Sequence, residues 1–321
     1  MSIPPEKSTL IFSVELQLQI WNSEKIVKDY IYNKMYDGNS WKIQVQNLKR
    51  KREEIFGKRI CLISHEEIPE QNAKKEEHII LQGLGTKWIK LPPGFVCDEI
   101  NNRTSGSELA LLGTVLMGAL RPFYLTKDKE VSFTDDCGNK IKLRNHHQRG
   151  FEIEYQGYEY INFPESSGSG EIRIRIPVQQ SEPLKVSRAI HKIAYLTFCV
   201  HCAEWLQFIL QKSFGHVREF IEIGTPETYR PYSEHFIPGA PPGFDISFIV
   251  TTTEEQGQLQ IQKVWTQMRL HHMGYSFSLV GDKPPLPKGI KDAINYPKPI
   301  VENKVSYRDI TFGFDRFEFD D

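Results

Sequence analysis

Between residues 61 and 102 the chain carries an ordered series of ligand-type residues. It reads Cys61-Leu-Ile-Ser64-His65, then Glu76-Glu77-His78-Ile79-Ile80-Leu81, Gly83-Leu84-Gly85, and Val96-Cys97-Asp98-Glu99-Ile100-Asn101-Asn102. Each string alone is an ordinary strand or turn. The constraint lies in their order and spacing together: a Cys, an acid-His pair, a Gly-x-Gly turn, a second Cys and an Asn pair. These residue types suit phosphodiester hydrolysis. That reaction needs a water deprotonated near neutral pH, and His is the side chain whose ordinary pKa suits the task. It also needs a hard divalent cation to neutralise charge on the phosphate and the leaving oxygen, which calls for oxygen donors such as Glu or Asn. Neighbouring strand residues face opposite sides, so Glu77 and His78 serve one phosphate only if the strand bends.

This block resembles the HNH, or ββα-metal, endonuclease family, in its variant with EEHIIP, a following LGG and a VCxxCNN segment entering a helix. The resemblance implies a ββα-metal core in which a bent hairpin strand carries the acid and the His, and the Asn opens the packed helix. Carried over residue by residue, it makes His78 the general base. Asn101 positions the His-bearing loop or contributes to the metal, Glu77 or Glu76 is the acid before the His, and Glu108 is the remaining metal ligand. A divalent cation, Mg²⁺ or Mn²⁺, is the implied cofactor and DNA the implied substrate. A role in restriction or anti-phage defence, with a defence-system partner protein, is implied in the same way.

The family often brackets this motif with two CxxC pairs that hold a structural zinc. Here the pairs read Cys61-x-x-Ser64 and Cys97-x-x-Ile100. Cys61 and Cys97, even with His65 as a third ligand, do not complete a tetrahedral site, so structural Zn²⁺ is expected to be absent, with apolar packing of Ile100 in its place. Leu81 and Thr86 also replace the variant's usual Pro and second Gly. Loss of half the cysteines leaves a second reading open, a catalytically degenerate HNH-fold binding or assembly module.

Further resemblance lies downstream. Ser187-Arg188-Ala189-Ile190-His191-Lys192-Ile193-Ala194-Tyr195 is similar to the RAxHKIA helix of long bacterial HNH proteins, and Phe214 to Phe220 with Arg218, Ile223 and Gly224 is similar to their FxxVRxxIxxG segment. Arg188, His191 and Lys192 read as a polar face on an otherwise buried helix, in preference to a DNA contact. Cys199-Val-His201-Cys202 has metal-ligand spacing but sits in an apolar run and reads as core.

The remaining organisation suggests an α+β protein in three parts: an N-terminal helical arm over 1–58, an HNH-like nuclease domain over 59–125, and an α+β C-terminal domain with antiparallel strands over 126–321. In the arm, Ser23 with Lys25 to Met35 suggests a capped amphipathic helix. In the last part, 151–161 reads as a hairpin, 171–176 and 245–251 as strands, 186–211 as a long helix, and 275–280 as a strand. The Phe/acid alternation near the C-terminus suits a sheet edge or a docking peptide. With 40 Lys+Arg against 41 Asp+Glu, attraction to DNA needs a local patch. The run Lys49-Arg50-Lys51-Arg52 is the candidate, its competing reading being a solvated helix end paired with Glu53 and Glu54. The longest nearly apolar stretch falls short of the ~20 residues of a membrane span. The N-terminal sequence lacks the order of a secretion signal and five cysteines show no disulfide spacing, so a reduced, cytoplasmic protein is expected.

Overall fold

The computed structural model describes residues 13–22, 25–35, 38–85, 87–114, 117, 130–134, 138–146, 150–156, 161–162, 168–178, 182–210, 212–237, 243–255, 258–281 and 306–317. The chain is mixed α+β, and among the described residues its sheets are antiparallel apart from one pairing. It forms two compact units that do not follow chain order. One gathers Met1–Gln82, Thr86–Glu108 and Pro183–Lys298; the other gathers Gly83–Gly85, Leu109–Glu182 and Pro299–Asp321.

The larger unit opens with strands β1 (Ser13–Asn22) and β2 (Lys25–Met35), an antiparallel hairpin. The expected helix over 25–35 is therefore corrected to a strand. Ile26, Val27, Tyr30, Ile31 and Tyr32 are β-branched and aromatic residues, and such side chains favour a pleated surface once a partner strand is present. Helix α1 (Gly38–Phe56) follows. It buries Trp41, Val45, Leu48 and Arg52, a spacing of one helical face. Two-residue strands β3 (Glu77–His78) and β4 (Lys90–Leu91) then pair antiparallel and lead into helix α2 (Asp98–Leu112).

Helix α3 (Pro183–His201) is buried from Val186 to Val200 on every side. The short α4 (Leu206–Ile209) and helix α5 (Gly215–Glu222) come next. Strands β10 (Tyr232–Phe236), β11 (Phe244–Glu255), β12 (Gln258–Leu270) and β13 (Met273–Val280) build a six-stranded sheet with the first hairpin, in the order β10-β13-β12-β11-β1-β2. β1 lies parallel to β11, and its other neighbour is antiparallel. Phe198 of α3 meets Phe248 of β11 at 4.9 Å between ring centroids, and His191 meets Phe277 of β13 at 4.3 Å. The apolar helix thus forms the centre of the unit, between the sheet and the segment that carries His78.

In the smaller unit β5 (Glu130–Thr134), β6 (Lys140–His146) and β7 (Gly150–Gln156) form one antiparallel sheet. β8 (Ile161–Asn162), β9 (Gly168–Val178) and β14 (Ser306–Phe317) form another, with β14 on its edge. The strand at 151 pairs with the preceding segment, β6; residues 157–160 of the expected hairpin lie outside the described residues. The Phe/acid segment forms the expected edge strand as far as Phe317.

Candidate active site

The site is assembled from the β3-β4 pair and the first turns of α2. Asp98 accepts hydrogen bonds from the backbone N–H groups of Lys74 (3.3 Å) and Lys75 (2.9 Å), and Asn101 Nδ2 donates to the Glu76 carbonyl at 3.2 Å. Three successive residues before the Glu77-His78 strand are thereby tied to the helix. Trp41 of α1 fixes the second strand by donating Nε1–H to the Lys90 carbonyl at 3.0 Å.

Register decides which way the acid-His pair faces. Glu77 lies opposite Leu91, and His78 opposite Lys90. Directly paired residues share a face, so Glu77 lies with fully buried Leu91, whereas half-buried His78 lies with half-exposed Lys90. The strand does not bend to bring Glu77 and His78 together, as the resemblance implied. His78 is half-buried, and its Nδ1 is enclosed without a partner among the described residues.

Glu77 points inward onto α3. Its Oε1 lies 2.8 Å from Lys192 Nζ, and Glu108 Oε1 lies 2.7 Å from the same ammonium. Thr104 Oγ1 accepts a third bond from Lys192 at 2.7 Å. Burial pushes the Glu77 carboxyl up to about 7, against the pull of Lys192. Burial opposes the charge on Lys192 as well, but two carboxylates overcome it and hold the ammonium above its ordinary pKa. The charged form of Lys192 is the one its surroundings favour, because all three of its neighbours are acceptors. Glu108, expected as a free metal ligand, is instead a partner of this lysine.

Cys61 and Cys97 hydrogen-bond to each other, and Ser64 adds both its N–H and its hydroxyl to Cys61. These bonds lower the Cys61 thiol and raise that of Cys97. His65 has a left-handed backbone (φ 64°) and its Nδ1 meets Arg218 of α5. Burial first, then the Arg218 charge, lowers its pKa to about 4. The structure thus brings Cys61 and Cys97 together and gives His65 to an arginine. Ile100 is buried.

The basic run divides. Lys49 and Arg50 are exposed on α1 and form i,i+4 pairs with Glu53 and Glu54; Lys51 reaches Glu204 at 2.8 Å. Arg52 is corrected from a surface DNA contact to an interior residue. It is 3% exposed, donates to the carbonyls of Gly94 (2.5 Å) and Ile60 (3.2 Å), and lies 4.1 Å above the Phe95 ring. Near the His78 strand stand exposed Lys74, exposed Lys75, which donates to Asn102 Oδ1 at 2.5 Å, and half-exposed Lys90, which pairs with Glu76 at 2.6 Å. The sequence signal for them is only proximity to the Glu76-Glu77-His78 string.

The downstream segments act as the frame. Besides Lys192, α3 sends Tyr195 Oη–H to the Leu62 carbonyl at 2.6 Å. Arg188 caps the end of α5 by donating to the carbonyls of Ile221 (2.7 Å) and Glu222 (2.6 Å). Gly224 is at φ 65°, and a Cβ there would stand 2.7 Å from the Arg188 side chain. A side chain at 224 is thus excluded by the arginine as well as by the backbone. Arg188 and Lys192 are buried polar anchors, in line with the preference over DNA contact.

No protein-family model, curated protein or solved structure matches the chain.

Proposed function

We propose that β3, β4 and α2 form an HNH-type nuclease core that hydrolyses DNA phosphodiester bonds, with His78 as general base. The observation that carries this reading is the tie from Asp98 and Asn101 to the backbone of residues 74–76, which fixes the strand bearing His78 on the helix N-terminus. His78 takes a proton from water at Nε2, the resulting hydroxide attacks phosphorus, and the P–O bond to one sugar oxygen breaks, that oxygen leaving with a proton taken from solvent. Lys90 pairs with His78 across the strands and is held by Glu76 at 2.6 Å, so exposed Lys74 is the nearby lysine left to offer its ammonium group to a phosphate. A role in restriction or anti-phage defence rests on the resemblance alone.

Of the residues the resemblance assigns to a divalent cation, only Asn101 fits, since its Oδ1 takes no hydrogen bond among the described residues. Glu77 and Glu108 do not fit: Lys192 stands between them, and an ammonium at 2.7–2.8 Å repels a second cation. Bound alongside the substrate, Mg²⁺ or Mn²⁺ would supply charge neutralisation at the phosphate.

That same Lys192 contact favours a second reading, a degenerate HNH-fold module that binds without cutting. Incubation of the protein with plasmid and with single-stranded DNA, in Mg²⁺, Mn²⁺ or EDTA, separates the two. Nicking that EDTA stops supports the nuclease; DNA retained but uncut under every condition supports the module.

A further inference from the structure

On the β10-β13-β12 side of the large sheet a cavity of about 200 Å³ opens between Tyr229, Arg230, Trp265, Ser276, Phe277 and Ser278. A single buried water needs roughly 10–15 Å³ measured in this way, so the cavity holds many waters or one compact organic molecule. Trp265 of β12 is the register partner of Ser278, and Phe277 is the partner of Tyr232. Adjacent strands thus supply Trp265, Ser276, Phe277 and Ser278, while Tyr229 and Arg230 come from the segment that leads into β10.

Arg230 distinguishes the cavity. Its Nη2 donates to the Ser278 carbonyl at 3.2 Å, while Nε is enclosed and makes no hydrogen bond. Among the described residues no carboxylate pairs with it. Two other arginines of this unit are better satisfied: Arg188 donates to three carbonyls and Arg269 pairs with Asp245. The Ser276 hydroxyl likewise has no partner among the described residues. The backbone of Arg230 is held on α3, where the Ser187 hydroxyl donates to its carbonyl.

Arg230 is half-buried; its guanidinium keeps its charge there, and enclosing part of it without a counter-ion has a cost. Its forked donors match a carboxylate or phosphate. The indole and phenol rings beside it offer flat apolar faces of the kind that stack on planar ligands. We propose that this cavity binds a planar aromatic anion, with the anionic group on Arg230 and the ring against Trp265 and Tyr229. The site is separate from His78, and the proposal does not depend on the nuclease reading.

The test is isothermal titration of the full chain with the four 5′-mononucleotides and with 4-hydroxybenzoate, and, as controls, with the corresponding nucleosides and inorganic phosphate. At least one aromatic anion is expected to bind with Kd below about 1 mM, and at least tenfold more tightly than its uncharged counterpart or free phosphate. Preference for nucleotides or for the benzoate identifies the source of the anion. Arg230→Gln is expected to weaken binding tenfold or more. Ser276→Leu, which fills the cavity and leaves Arg230 in place, is expected to do the same and decides the matter if Arg230→Gln does not fold. His78→Ala is expected to bind as the wild type does. Binding of none of these anions, equal binding of a nucleoside and its nucleotide, or unchanged affinity in the folded variants overturns the proposal.

Discussion

Lys192 on α3 holds its ammonium 2.8 Å from Oε1 of Glu77 on β3, with each side chain 3% exposed. The residue before His78 is thereby fastened to the most buried helix of the unit. Removing one partner of such a pair leaves an uncompensated charge inside the protein, at a cost of about 3–5 kcal/mol. Lys192→Met is expected to lose that amount in urea unfolding, because two carboxylates, Glu77 and Glu108, are left facing each other. Lys192→Met combined with Glu77→Gln is expected to lose less than the single change. A loss below about 1 kcal/mol for Lys192→Met would contradict this role.

His191 gives a dependence on pH. It is fully buried against Phe277 and Phe220, and burial, followed by the Arg230 charge, lowers its pKa to about 3. The unfolded chain binds this proton near pH 6.5 while the folded chain does not, so the stability is present above 6.5 and is lost as pH falls towards 3. The slope is at most one proton, about 1.4 kcal/mol per pH unit. The stability difference between wild type and His191→Gln should therefore shrink between pH 7 and pH 4.5. A difference that stays constant over that range refutes the assignment.

The basic run should separate into two behaviours. Lys49 and Arg50 have side chains about 60% exposed, and surface pairs of the kind they form with Glu53 and Glu54 contribute little. If both contact phosphates, Lys49→Gln with Arg50→Gln flattens the slope of log K against log salt by about 1.8. Arg52→Gln should instead leave the slope unchanged and lower stability by about 1.5–3 kcal/mol, through bonds lost to Gly94 and Ile60. Anisotropy titrations at several salt concentrations, with urea melts of each variant, measure both. An unchanged slope in the double variant assigns those two residues to a solvated face.

Local periodicity made part of the fold legible. α3, β11 and β13 follow from long apolar or alternating runs. Arg52 was legible too, since it continues the Trp41-Val45-Leu48 face of α1, but a tetrabasic string draws attention to charge instead of phase. β1 and β2 were not, because their strand state depends on pairing with each other and, for β1, with distant β11. β12 was hidden by its alternate glutamines at 258, 260 and 262. At the site, the acid-His and Asn residues were found from order and spacing. The partner of Glu77 was not, because an ion pair between residues so far apart in sequence exists only once α3 packs against β3.

Wild-type protein and His78→Ala, matched for folding by circular dichroism and for DNA affinity by anisotropy, are to be compared on supercoiled plasmid with Mg²⁺ or Mn²⁺. Removal of the base is expected to abolish nicking while leaving fold and affinity nearly unchanged. Nicking by His78→Ala at the wild-type rate would contradict the assignment of His78 as the base.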